Sequence, residues 1–240
     1  MLCAELDLLG TVCYHPCLMI GKSSAVNPYV ELMYTDFKDW AYDTRASGFR
    51  GLWRSEVFDC ASKIPLDIEI GTGNGTHFAH RAQQSPARCI VGLELKFKTL
   101  VQSIRRARSL GCQNARMVRY KAESVVELFA PSEVNDVFIY FPDPWPKLKQ
   151  QKNRLIQKKF LEDLFLVMQQ GSYLDFKTDD WRYFRWATKQ FFESPFEVLF
   201  YSEDLHSSFR KEKNFVTQFE SLFIKKRQPT YYCRLQKQDY

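Results

Sequence analysis

Five short apolar runs recur along the chain, each followed by a segment of helical spacing, and this alternation restricts the fold more than any other feature. The runs are LDIEI (66–70), CIVGLEL (89–95), ARMVRY (115–120), VNDVFIYF (134–141) and SYLDFK (172–177). Between and after them lie Thr76–Gln84, 96–109, 123–130, 153–168 and 179–192. Apolar runs of about 4–8 residues bounded by turn signals read as buried strands, and the longer 3.6-periodic segments as helices. Gly111 sits where the 96–109 helix should end. Repeated strand–helix–strand units form a parallel sheet with helices on both faces. The expected fold class is therefore α/β, a doubly wound and mostly parallel sheet. After Pro195, FEVLFYSE (196–203) and YYCRL (231–235) read as a hairpin-type pair at one sheet edge, with a polar loop between them. In such sheets a ligand binds beyond the C-terminal strand ends, where the strand order reverses.

The first sixty residues lack this periodicity. They are aromatic-rich, with Tyr29, Tyr34, Phe37, Trp40, Tyr42, Phe49, Trp53 and Phe58. The division expected is an N-terminal extension over 1–60, with no function assigned, packed on a domain over 61–240. A chain of 240 residues, 45% hydrophobic and 26% charged, is long enough for one domain with a full core. No apolar stretch approaches the roughly 18 residues of a membrane span, and Glu5 and Asp7 stand where a signal peptide carries positive charge. The expected location is cytoplasmic. The seven cysteines are odd in number and irregularly spaced, as expected of reduced thiols in or near a core. Cys13, His15 and Cys17 lie close together, but CxHxC is not a usual zinc half-site and no second ligand pair is evident, so no metal is expected.

Net charge is +6. Its distribution matters more than its size. Residues 96–109 hold five basic side chains and 147–159 hold six, with no acidic side chain in either. Solvated helix faces usually mix both signs, so two one-signed stretches beside candidate motifs point to a polyanion surface.

Three motifs carry chemistry. The first is Glu69-Ile-Gly71-Thr-Gly73-Asn-Gly75, directly after the first strand. Glycines there let the backbone turn tightly and approach a ligand. The spacing is G-x-G-x-G rather than the G-x-G-x-x-G of dinucleotide sites, and a tight βα turn alone gives the same pattern. Glu69 favours a ligand with a cationic amine, as S-adenosylmethionine has; a dinucleotide needs its phosphates at the helix N-terminus. The second is Glu94, at the end of the second strand, where a carboxylate accepts from ribose hydroxyls. The third is Phe141-Pro142-Asp143-Pro144-Trp145-Pro146-Lys147. Its prolines fix φ and stiffen a loop that displays Asp143 and Trp145 beside the expected pocket.

With IEIGTGNG, the GLEL strand end, FPDPWPK, FKTD (176–179) and TQFE (217–220) in this order, the chain resembles the bacterial tRNA (guanine-N7-)-methyltransferases over roughly residues 64–236. FPDPWPK is highly specific to that family. The resemblance implies a Rossmann-like class I methyltransferase fold with seven strands and a reversed last strand. It implies S-adenosylmethionine as cofactor, bound by Glu69, Gly71, Gly73, Glu94, Lys121, Ala122 and Asp143. Asp143 becomes the functional acid at the reaction centre. Lys147, Asp179 and the segment Thr217, Gln218, Phe219, Glu220 would hold tRNA. The product implied is 7-methylguanosine in the variable loop. No DNA or membrane partner is expected, and monomer and homodimer both stay open.

The chain departs from the family at two places. Lys121-Ala122 replaces Asp or Asn before Ala, and lysine has donors but no acceptor for an adenine amino group. We expect Lys121 to turn outward and serve the RNA; the alternatives are backbone contacts from Ala122, or Glu123 as substitute acceptor. Leu148 and Gln150 stand where the family carries Lys or Arg and His. Guanine N7 has a free lone pair and no proton to lose, so alignment and electrostatics rather than a general base should carry the reaction. Asp143 would stabilise the charge that develops on the base and accept from its N1–H and exocyclic amine. Trp145 either stacks on the base or packs as scaffold. Lys147, Lys149, Lys152 and Arg154 are expected on phosphates. The rival readings are a same-fold methyltransferase with another substrate and a degenerate, non-catalytic RNA-binding member.

Overall fold

The computed structural model describes residues 27–238, together with the backbone of an antiparallel pair, β1 (Cys3–Leu6) and β2 (Val12–His15). The Cys13, His15 and Cys17 group lies outside the described side chains. Among the described residues no group of three or more His, Cys, Asp or Glu side chains is arranged to hold a metal. No helix among them is long and apolar enough to cross a membrane.

After α1 (Pro28–Tyr34) and the two-residue β3 (Ala41–Tyr42), the predicted alternation begins. It runs β4 (Leu66–Ile70), α2 (Thr76–Gln84), β5 (Cys89–Leu93), α3 (Phe97–Ser109), β6 (Ala115–Val118), α4 (Val125–Leu128) and β7 (Val137–Tyr140). It continues through α5 (Lys158–Val167), β8 (Tyr173–Thr178), α6 (Trp181–Phe192), β9 (Glu197–Ser202), α7 (Gln218–Lys225) and β10 (Tyr231–Gln236). The sheet order is β3-β6-β5-β4-β7-β8-β10-β9. Strands β3 to β8 are mutually parallel, and β10 runs antiparallel between β8 and β9. The chain leaves β4 toward β5 on one side and later returns to β7 on the other. The strand order therefore reverses at β4, and the crevice opens above its C-terminal end.

Alternate residues of β5 serve opposite layers: Cys89, Val91 and Leu93 join one core cluster and Ile90 the other. The described part of the N-terminal extension enters both. Trp53, fully buried, packs with the β4 side chains, while Met33, Phe37 and Ala41 pack with α2 and α3.

Three differences from the sequence reading have clear causes. The sheet has eight strands rather than seven. Backbone at Trp40–Tyr42 adds an edge to β6, the Trp40 and Tyr42 carbonyls accepting from Met117 N at 2.8 Å and Arg119 N at 2.7 Å. Helix α5 starts at Lys158 rather than 153, because Leu148–Asn153 forms 3-10 turns and Arg154 is extended. The segment read as a polar loop contains α7.

Candidate active site

A cavity of about 630 Å³ lies at the strand-order reversal, walled by the β4–α2 turn, the ends of β5 and β6, the loop after β7 and the start of α7.

The first wall is the glycine turn. Gly71, Gly73 and Gly75 have φ of +76°, +54° and +75°. Gly75 is pressed on α3: an added Cβ would sit 2.4 Å from Ser103 Cα. Gly73 lines the cavity, and an added Cβ there would meet no other atom within 4 Å. Asn74 Oδ1 accepts from Thr76 N at 3.2 Å, so a side chain already occupies one of the first amides of α2.

Two carboxylates project from adjacent strand ends. Glu69, 3% exposed, receives His77 Nδ1 at 2.7 Å. Glu94 is held by two backbone amides, Gly73 N at 3.2 Å on Oε2 and Lys96 N at 2.9 Å on Oε1. Beyond β6, Tyr120, Ala122 and Glu123 line the cavity, while Lys121 is exposed and outside its lining.

The loop after β7 supplies Phe141, Pro142, Asp143 and Trp145. Phe141 and Trp145 are both left-handed, with φ of +54° and +44°, a conformation that costs a non-glycine residue of order 1–3 kcal/mol and persists only where its surroundings enforce it. Phe141 N donates to Lys177 O at 2.8 Å. Arg154, only 3% exposed, donates to the Pro144 carbonyl at 2.9 Å and, more weakly, to the Trp145 carbonyl at 3.4 Å. Its guanidinium lies over the rings of Tyr183 and Trp186. The expectation that Arg154 binds phosphate is thereby corrected: it is a buried tether of the loop. Lys147, Lys149 and Lys152 remain exposed, outside the cavity lining.

The last wall is α7. TQFE forms a capping box, Thr217 Oγ1 accepting from Glu220 N at 3.1 Å and Glu220 Oε2 from Thr217 N at 3.3 Å. Thr217, Gln218 and Phe219 reach the cavity; Glu220 does not. Its carboxylate is fully buried against Lys177 Nζ at 2.9 Å and the His206 ring at 3.1 Å. Burial pulls the Lys177 ammonium below its usual range, opposed by the Glu220 charge. Asp179 is exposed beyond the end of β8 and does not line the cavity. The Asn74 amide donates to Gln218 Oε1, joining the glycine turn to α7.

Residues the sequence did not single out are Asn74, His77 and Arg154 in its tethering role. The S/T-x-x-E pattern at 217–220, read from the sequence only as a substrate segment, is the start of a helix; nothing in the spacing singled out His77.

The donor set fits S-adenosylmethionine. A recessed carboxylate suits a cationic amine, a second at the next strand end suits a ribose diol, and the cradle at Gly73 is one that a Cβ would fill. A pyrophosphate fits less well, since the Asn74 side chain already takes one of the first amides of α2.

A family model described as "Putative methyltransferase" matches residues 63–233. A tRNA (guanine-N(7)-)-methyltransferase of Bdellovibrio bacteriovorus is 47% identical over 195 residues, covering 81% of this chain and 93% of that protein. One of the same description from Bacillus subtilis is 32% identical over 204 residues, covering 81% and 94%. Among solved structures, the 16S rRNA methyltransferase KamB superposes with a TM-score of 0.54 at 16% identity, over 73% of this chain and 88% of that one. That likeness speaks to the fold alone. Two relatives matched across most of their length, with the family model covering the whole βα repeat, establish that this chain belongs to the bacterial tRNA (guanine-N7-)-methyltransferase family.

Proposed function

We propose that this protein transfers a methyl group from S-adenosylmethionine to N7 of a guanine in the variable loop of tRNA, in the cytoplasm. The observation that carries the reading is a single cavity with two recessed carboxylates on one side and Asp143 and Trp145, held on a tethered loop, on the other. When bound, S-adenosylmethionine supplies an electrophilic methyl group. Glu69 takes its amine and Glu94 its ribose hydroxyls, while Gly73 leaves room for close approach and Ala122 offers backbone and methyl contact. Lys121 stays outside and meets RNA. Asp143 accepts from the guanine N1–H and exocyclic amine, and its charge offsets the positive charge that the base acquires. No proton has to leave N7, so the site needs no general base there. Trp145 offers a stacking face. Thr217, Gln218 and Phe219 border the base, Asp179 and Lys147 hold the surrounding RNA, and Glu220 acts behind them by fixing α7. Lys149 and Lys152 meet phosphates and set affinity rather than sequence preference.

The test is incubation with unmodified tRNA and methyl-labelled S-adenosylmethionine, followed by nucleoside analysis. Label in 7-methylguanosine is expected; label only on another nucleoside, or only on protein, overturns the reading.

A further inference from the structure

A second pocket, of about 230 Å³, shares the His77 and Tyr140 wall with the methyl-transfer cavity. Its floor is the sheet face carrying Asp175 and Lys177 of β8 and Tyr232 and Arg234 of β10. Its sides are α2 and the 205–215 segment. No part of the methyl-transfer reading uses it.

Its charge is unbalanced. Arg81, Lys177, Arg210, Lys213 and Arg234 line it against one carboxylate, Asp175. Three of these cations are matched: Arg81 by Asp67, Lys177 by Glu220 and Arg234 by Asp175. Arg210 and Lys213 form no ion pair among the described residues. The Arg210 guanidinium lies over the Phe200 and Tyr232 rings, which leaves its edge donors for a ligand. His80 adds a ring nitrogen at the wall; burial, then His77 and Arg81, hold its pKa below the usual imidazole range. Phe215 is already stacked on His80 at 4.0 Å, so that ring face is not open to a flat ligand. A recess of about 230 Å³ has room for a phosphate group.

We propose that this pocket binds an oxyanion of the phosphate class through Arg210, Lys213 and His80. Its source is either a backbone phosphodiester of the RNA or a free phosphate or pyrophosphate. Only the RNA source rests on the methyl-transfer reading.

The experiment compares wild type with the Arg210→Ala/Lys213→Ala double variant, and with Lys38→Ala/Lys63→Ala as a control for equal loss of charge. Melting temperature and S-adenosylmethionine affinity check that each variant is folded. Inorganic pyrophosphate is titrated by calorimetry, and tRNA binding is measured across a salt series. A free-anion site predicts pyrophosphate binding that weakens at least tenfold in the pocket variant only, with equal tRNA binding in both variants. An RNA site predicts a tRNA salt slope shallower by more than one unit in the pocket variant and unchanged in the control, since each lost phosphate contact removes about 0.9. Pyrophosphate binding equal in all three proteins, together with equal salt slopes in the two variants, overturns the proposal. Failure of methyl transfer alone leaves the pyrophosphate result standing.

Discussion

Asp143 sits in a loop whose shape is enforced by its neighbours, and that makes a charge-only substitution informative. Asp143→Asn keeps the shape and removes the charge. The expected result is a fall of about 10²–10³ in single-turnover methylation, much larger than any loss of cofactor affinity. A loss below threefold would remove Asp143 from the reaction centre. Arg154 is tested differently, because it acts through the loop. Arg154→Ala leaves two partly buried carbonyls short of a donor and removes the guanidinium that lies over the rings of Tyr183 and Trp186. About 2–3 kcal/mol of stability should be lost, read from urea denaturation, and KM for tRNA should rise as the Asp143–Trp145 turn loosens. An unchanged denaturation midpoint would contradict the tether. The two residues also mark what a sequence can convey. Asp143 stood out because prolines and strand position framed it. Arg154 read as one more positive charge in a basic stretch, since nothing local distinguishes a buried guanidinium from a solvated one.

At the scale of elements, the glycine turn performs two separable tasks. Gly75 has to be glycine for packing: a methyl group would collide with the backbone of α3 in a left-handed residue. Gly73 is crowded by nothing in the protein, so a methyl group there intrudes on whatever enters the cavity. Gly75→Ala should therefore destabilise the fold, by on the order of 3 kcal/mol. Gly73→Ala should cost about 1 kcal/mol of stability, from its backbone angle alone, yet weaken S-adenosylmethionine binding at least tenfold. Thermal melts paired with calorimetry separate the two, and equal behaviour of the variants would refute the division. The βα elements were legible because their buried stripes follow regular periods. Helix α7 was not, because its residues do not form an apolar face turned to the core. Only Glu220 of α7 is buried, while Phe219, Leu222 and Ile224 are exposed. It is held by its cap and the Lys177 pair, which periodicity does not register.

The whole molecule buries several neutral acids. Burial, reinforced by Cys60, pushes the Cys89 thiol from 9.0 to about 12. Burial also raises Cys233, Tyr140, Tyr183 and Tyr232. Unfolded thiols ionise near 8.5 and phenols near 10, while the folded state holds on to these protons. The stabilisation is thus fully present below about pH 8 and is lost progressively as pH climbs toward 12. The urea midpoint should fall between pH 8 and pH 10.5, and part of the phenolate absorbance should appear only on unfolding. A midpoint flat across that range would contradict the burial of these groups.

The place of β10 has a consequence for how the protein reaches this state. It fills the slot between β8 and β9, although β9 precedes it in the chain by some thirty residues. Until β10 inserts, β8 presents one open edge and β9 has no strand to pair with. In a chain whose parallel strands assemble before β10 docks, two rows of backbone donors and acceptors are exposed at once, the condition that favours pairing between molecules. Refolding yield would then depend on concentration, and a chaperone that shields strand edges would act at that stage.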